Sequence, residues 1–240
     1  MSIKWNEQSC RWFDAASEYT GYNRRLAEIL KKHIPQGESL CDVGCGAGLI
    51  DLELASHCSS ITCIDIAPDA IDSVRRGAER HEIKNINALC TDASTFQLPH
   101  DTVTAFFFGD RQFYESFFHL AKKRLIVAVH KQRKGKFGPD GYQMLKRSDV
   151  DSTREYLDRL GVKYEFEAVS LEYGQPLADL DEARAFVRTY TRPLSDDLLE
   201  EYLAKNLQKT NDEKWPYYLP NLKEFGLFVI RRDENEKLSG

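Results

Sequence analysis

Ser39-Leu40-Cys41-Asp42-Val43-Gly44-Cys45-Gly46-Ala47-Gly48-Leu49-Ile50 is the stretch on which the fold turns. Ser39–Val43 is a short apolar run of strand character, and a helical pattern covers about Leu49–Ser56 beyond the glycines. Between them, Gly44, Gly46 and Gly48 let the backbone turn sharply and approach a ligand where a Cβ would clash. The following helix offers unpaired N–H groups and the positive end of its dipole to an anion. A dinucleotide-binding turn is spaced G-x-G-x-x-G, whereas this one is G-x-G-x-G with Asp42 two residues ahead of the first glycine. A carboxylate there repels a pyrophosphate and pairs with a ligand ammonium. The plain alternative is a tight structural turn.

Outward from this turn the chain alternates strand and helix. Strand patterns fall at Ser60–Ile66, Ile86–Thr91, Val103–Gly109 and Arg124–His130. A helix opens at Pro68 and runs to about His81, and another covers Gln112–Ala121. The runs Ala105–Phe108 and Leu125–Val129 are apolar throughout, as strands covered on both faces are. Such repeats predict an α/β, doubly wound, parallel sheet. The later elements are a helix over Asp151–Leu160, a strand over Val162–Leu171, helices over Asp179–Tyr190 and Ser195–Leu207, and a strand over Phe225–Arg231. Before the turn, Ala15, Ala16, Tyr19, Tyr22, Leu26, Ile29 and Leu30 recur at helical steps until Pro35-Gln36-Gly37. Trp5, Trp12 and Phe13 add large aromatics to that region.

Two more acids stand where the second and third strands end. Asp65, 17 residues beyond Gly48, can accept from both hydroxyls of a ribose, which marks a nucleoside ligand; its other reading is a cap for the helix at Pro68. Asp92 can accept from the exocyclic amino group of an adenine. A nucleoside ligand that also carries an ammonium and a carboxylate is S-adenosylmethionine.

Asp42, Asp65 and Asp92 in this order resemble the class I S-adenosylmethionine-dependent methyltransferases of small-molecule type, over about residues 38–130. The resemblance implies that Asp42, Gly44, Cys45 and Gly46 hold the methionine portion and that Asp65 binds the ribose. It further implies that Ile66 packs on the adenine and that Asp92 with Ala93 meets its edge. Tyr22, closing from the N-terminal helix with Tyr19, and Gly109, ending the fourth strand, complete the expected cofactor set. The cofactor is S-adenosyl-L-methionine and its product S-adenosyl-L-homocysteine. The implied organisation is an N-terminal helical cap over residues 1–37, a Rossmann-like domain over 38–232 whose doubly wound, mostly parallel seven-stranded sheet has an antiparallel last strand, with a helical lid at about 179–207, and a frayed tail over 233–240.

The sequence departs from the family on the acceptor side. Ala121-Lys122-Lys123-Arg124 replaces a Pro-Gly-Gly turn, and Phe108-Gly109-Asp110-Arg111 lacks the Asn-Pro-Pro-Tyr or Asp-Pro-Pro-Tyr motif of members that methylate nucleic-acid or glutamine amino groups. No cysteine lies in the C-terminal half, which counts against arsenic methylation. Asp110 and His130, just beyond the fourth and fifth strands, are the candidate bases, though either can be a plain loop residue. Lysines and arginines crowd residues 122–147 against Asp140 alone. That segment is either a solvated edge or a patch where Lys131, Arg133, Lys134 and Lys136 attract an anionic substrate. Phe186, Tyr190, Tyr202, Trp215, Tyr217 and Tyr218 are expected to help the lid enclose a small, partly apolar substrate.

Length and composition set the outer limits. The 240 residues, 42% hydrophobic and 30% charged, suit one soluble domain with decorations. A net charge of −5 argues against a nucleic-acid-coating protein. Without an apolar leader or a long apolar stretch, the chain is expected to be cytoplasmic, with no membrane partner. Six cysteines show no C-x-x-C pair, so neither a zinc site nor a disulfide framework is expected, and Cys41, Cys63 and Cys90 are assigned to core strands. The expected activity is methyl transfer to a small metabolite, anionic in one reading. A non-catalytic cofactor- or partner-binding protein stays open, as does an NAD-dependent oxidoreductase, which the glycine spacing and Asp42 oppose. The oligomeric state is not specified.

Overall fold

The computed structural model describes residues 5–108, 112–132, 137–144 and 148–235. Gly109, Asp110, Arg133, Lys134, Lys136, Lys146 and Arg147 lie outside the described residues.

The central sheet has seven strands: β1 (Ser39–Val43), β2 (Ser60–Asp65), β3 (Ile86–Cys90), β4 (His100–Phe106), β5 (Ala121–His130), β6 (Glu165–Glu172) and β10 (Leu222–Arg231). Their order is β3-β2-β1-β4-β5-β10-β6, and β10 runs antiparallel to both neighbours. The expected fold class is therefore observed. From β1 the chain adds β2 and β3 on one side, then crosses to place β4 and β5 on the other. This reversal opens a crevice at the carboxyl ends of β1 and β4, where ligands bind in open sheets. Because β10 is antiparallel, its first residues reach that same edge.

Helices α2 (Tyr22–Leu30), α3 (Leu49–Leu54), α4 (Pro68–Arg80), α5 (Phe113–Phe117) and α6 (Val150–Arg159) flank the sheet. Two apolar clusters fill its faces, one around Val103, Leu125, Val127 and Phe228, the other around Leu30, Leu40, Leu54 and Ile126. A third cluster joins α1 (Glu7–Thr20), α7 (Leu180–Tyr190) and α8 (Asp196–Asn206) through Trp12, Phe186, Val187 and Leu199. Trp12 Nε1 donates to Glu182 Oε1 at 3.0 Å, and Gln175 Nε2 donates to the Trp12 carbonyl at 3.2 Å. A small sheet missed by periodicity completes this cap: β7 (Gln175–Leu177), β8 (Gln208–Lys209) and β9 (Tyr217–Leu219), ordered β7-β9-β8. Its strands are two or three residues long, too short for alternation to register.

Several boundaries differ for identifiable reasons. The N-terminal helical pattern is two helices, broken at Gly21, whose φ of 64° ends α1 and starts α2. Asp179 and Ser195 cap α7 and α8 through their side chains. β4 starts earlier than its apolar run because His100 is buried against Thr62 Oγ1 at 2.9 Å, and it ends before Phe107, whose φ is 57°. β5 begins at Ala121, so Lys122, Lys123 and Arg124 belong to the strand's amino end, away from the crevice. There Arg124 is buried in an ion pair with Glu38, and Lys123 bridges Glu38 and Asp101. Cys90, expected in the core, is exposed at the end of the edge strand β3. Among the described residues no helix is long and apolar enough to cross a membrane, and no group of three His, Cys, Asp or Glu side chains could hold a metal ion.

Candidate active site

A cavity of about 830 Å³ lies at the carboxyl edge of the sheet. Its floor is the turn between β1 and α3. Gly44 N–H and Cys45 N–H both donate to the Ile64 carbonyl, at 2.8 and 3.0 Å, and lash the turn to β2. Asp65 completes the clamp: its carboxylate accepts from Gly46 N–H at 3.0 Å and from Ala67 N–H at 2.9 Å. Ala67, not Asp65, occupies the N-cap position of α4, so the helix-cap reading of Asp65 does not hold.

Gly44 and Gly46 have φ of 73° and 55°, in the left-handed region. A Cβ on Gly44 would come within 2.2 Å of the Phe108 ring, and one on Gly46 within 2.3 Å of the Trp5 ring. The two glycines thus form a cradle with aromatic side chains seated over it.

Beneath the cradle two carboxyl groups are buried together. Asp42 Oδ1 accepts from Thr104 Oγ1 of β4 at 2.7 Å. Burial pushes the Asp42 carboxyl up to about 6, against the lowering influence of Thr104 and Asp51. Asp51, in the first turn of α3, is fully buried, and burial together with the Asp42 charge raises its carboxyl well above the ordinary range. Ionising both carboxyl groups side by side is therefore costly, each raising the other's burden. A carboxylate whose ionisation is this costly gains strongly from a cation brought to it.

The structure places Asp42, Gly44, Cys45, Gly46, Asp65, Ile66 and Tyr22 together around this cavity. Ile66 is 69% exposed, an uncovered apolar face at the cavity's rim. Asp92 and Ala93 are not among the lining residues. Asp92 is exposed, and its carboxylate accepts from Ser94 N–H at 2.9 Å and Ser94 Oγ at 2.8 Å, which holds it below the usual carboxylate range. The Thr91 N–H bond to the Asp65 carbonyl, at 3.0 Å, keeps that corner beside the second strand's end. Tyr19 points away, packed on Tyr218 and Trp215, so the expectation that it closes the site fails.

Away from the glycine turn the cavity is aromatic. Phe13, Phe107, Phe137, Tyr173, Phe186 and Tyr190 line it together with His130. Of the aromatics expected in the lid, Phe186 and Tyr190 reach the cavity. Tyr202 packs in the cap cluster instead, and Trp215, Tyr217 and Tyr218 are not among the lining residues. The His130 ring lies 4.6 Å from that of Phe107. Phe107, Tyr173 and Lys223 escaped the sequence reading, and Trp5 was read only as an aromatic of the N-terminal region. Phe107 was hidden inside a strand-like apolar run, and the others have no motif. Lys131, one of the four lysines and arginines assigned to an anion-attracting patch, is ion-paired to Glu224 at 2.7 Å.

Comparison with known proteins agrees with this geometry. Residues 40–130 match the family model of a methyltransferase domain. A ubiquinone biosynthesis O-methyltransferase of Coxiella burnetii is 37% identical over 68 residues, 28% of this chain and 29% of that protein. An uncharacterised RNA methyltransferase of Chlamydia caviae is 37% identical over 79 residues, 32% of this chain and 20% of that protein. The chain thus spans less than a third of the length of either relative. Magnesium protoporphyrin IX methyltransferase of Synechocystis PCC 6803, solved with bound S-adenosylhomocysteine, shares the fold with a TM-score of 0.51 at 12% identity, over 95% of this chain and 89% of that one. Residues 40–130 are thus similar to a methyltransferase domain, and they lie on a seven-stranded sheet of the fold that the solved neighbour shares.

Proposed function

We propose that this chain transfers a methyl group from S-adenosylmethionine to a small, largely apolar acceptor. The observation that carries the proposal is the cavity itself. One end is a glycine cradle flanked by Asp42 and Asp65, and the other is an aromatic chamber continuous with it. The residues present fit the cofactor. Asp42 would take the ammonium, Gly44 and Gly46 would admit the methionine backbone, Asp65 would meet the ribose and Ile66 would cover one face of the adenine. Asp92 and Ala93, outside the cavity lining, are kept as the adenine-edge contacts only by their place after β3.

When bound, S-adenosylmethionine supplies an activated sulfonium methyl, so the protein's task is alignment and, for a protonated acceptor, removal of a proton. Trp5, Phe13, Phe186 and Tyr190 would exclude water and orient the acceptor. His130 is the described candidate for receiving the acceptor's proton; Asp110 is the other. Gly109 is retained as a cofactor contact by its place after β4.

A small acceptor is favoured by the aromatic walls and by the net charge of −5. The earlier exclusion of nucleic acid is weakened by the RNA methyltransferase among the relatives, because the matched segment does not distinguish acceptor classes. Calorimetric titration with S-adenosylhomocysteine and NAD, followed by methyl-label transfer from S-adenosylmethionine into a metabolite extract, tests the reading. Expected are S-adenosylhomocysteine binding, no NAD binding, and label in a small organic product that is lost at least about 100-fold in His130→Ala if His130 is the base. NAD binding without a response to S-adenosylhomocysteine overturns it, and binding without turnover turns the chain into a cofactor-binding protein.

A further inference from the structure

Gly21 interrupts the N-terminal helical run, and its left-handed backbone, φ 64°, starts α2 so that Tyr22 forms part of the cavity wall. The Tyr22 ring packs on that of Tyr173 with centroids 4.3 Å apart. Tyr173 is itself fixed between β6 and β7: its N–H donates to the Asn221 carbonyl at 2.8 Å, and Asn221 Nδ2 donates to the Tyr173 carbonyl at 3.0 Å. The head of Lys223 ties both rings to Phe107, lying 4.9 Å from the Tyr22 centroid, 4.8 Å from Tyr173 and 3.8 Å from Phe107. By these neighbours Tyr22 belongs to the aromatic part of the cavity rather than to the glycine turn, where the family resemblance puts it.

Tyr22 is only 3% exposed, and its hydroxyl has no hydrogen-bond partner in the protein. A phenylalanine would fill the same space without an orphaned polar atom, so the hydroxyl is a standing cost until a ligand meets it. Burial pushes its ionisation above the ordinary phenol range, which keeps the group a donor at neutral pH. What completes a fixed O–H donor is an oxygen lone pair.

We propose that the Tyr22 hydroxyl is a specificity-determining donor of the acceptor subsite, and that the acceptor is an aromatic compound presenting a ketone or phenolic oxygen to it. The inference rests on the methyltransferase reading above and adds the chemical class of the acceptor. The aromatic walls take the ring system, and Tyr22 fixes which edge of it turns inward.

The test is a double comparison on protein loaded with S-adenosylhomocysteine, read by ligand-observed NMR titration. The probes are 1-indanone and 5-indanol, each set against indane, which has the same bicyclic frame without the oxygen. From the unaltered protein to Tyr22→Phe, the affinity of at least one oxygenated probe relative to indane should fall about fivefold or more. Which one does so tells ketone from phenol. S-adenosylhomocysteine affinity should stay within about twofold, and the urea midpoint of the unliganded variant should equal or exceed the parent's, because an orphaned group has been removed. Relative affinities that are the same in both proteins overturn the inference, as does a failure of both oxygenated probes to bind the unaltered protein. A Tyr22→Phe that unfolds more readily also overturns it, by giving the hydroxyl a partner within the protein. So does one that loses S-adenosylhomocysteine, by giving the hydroxyl to the cofactor. Failure of the unaltered protein to load S-adenosylhomocysteine strikes the methyltransferase reading itself, and the inference with it.

Discussion

Replacing Asp42 by asparagine should make the protein more stable at alkaline pH and poorer at holding its cofactor. In the folded state burial lifts this carboxyl from 3.8 to about 6, so the native protein binds more protons than the unfolded chain between those values. Stability contributed by the protonated form is complete below about pH 4 and is lost as pH rises through about 6. At about 1.4 kcal/mol per pH unit, the full loss is about 3 kcal/mol. Asparagine has the same shape, its carbonyl can accept from Thr104 Oγ1 as Asp42 does at 2.7 Å, and it never ionises. Asp42→Asn should therefore match the parent near pH 4 and exceed it by about 1–3 kcal/mol at pH 8, about 1 M in urea midpoint at most. Urea unfolding of both proteins at half-unit steps from pH 4 to pH 8 measures the difference. In the same samples the variant should bind S-adenosylhomocysteine at least about tenfold more weakly, having lost a charge-assisted bond to the ammonium. A stability difference independent of pH, or a variant less stable at pH 8, would refute the account of Asp42 as a charge held at a cost for binding.

The same titration governs the intact protein: S-adenosylhomocysteine affinity should weaken up to about tenfold per unit as pH falls below about 6 and level off above it, as followed by calorimetry. Gly46→Ala places a Cβ at φ 55° and within 2.3 Å of the Trp5 ring, so about 1–2 kcal/mol of stability and most cofactor binding should be lost, read by thermal melting and calorimetry. Arg124→Ala leaves Glu38 buried with only the half-exposed Lys123 to compensate; about 3 kcal/mol should be lost at pH 7 in urea unfolding, with little change in cofactor affinity because the pair sits at the opposite end of the sheet.

The two ends of the site were unequally legible from sequence. Asp42, Gly44 and Gly46 stand at fixed spacing within one strand–turn–helix unit and Asp65 at the end of the next strand, and such local constraints leave a pattern in the chain. Asp51 left none: its importance comes from packing beneath Asp42, and nine residues along the chain do not reveal that contact. The largely aromatic wall of the cavity gathers Trp5, Phe13, Phe107, Tyr173, Phe186 and Lys223 from six elements or loops, joined only by tertiary structure. Periodicity located the large elements and missed the ends of β4 and β5. There a buried His100–Thr62 bond and the Glu38–Arg124 pair, rather than hydrophobicity, set the limits. Lys122, Lys123 and Arg124 fall within the basic segment 122–147 of the sequence yet lie at the opposite end of β5 from Lys131, because charge counting ignores strand direction.

The bond from Trp12 to Glu182, with Gln175 holding the Trp12 carbonyl, has a kinetic consequence. It couples α1, which carries Phe13, to α7, which carries Phe186 and Tyr190, so the walls over both halves of the cavity belong to one plate. On the proposed function, cofactor and acceptor would both leave past that plate. Loosening it is then expected to shorten the residence of both together, through contacts that neither of them touches.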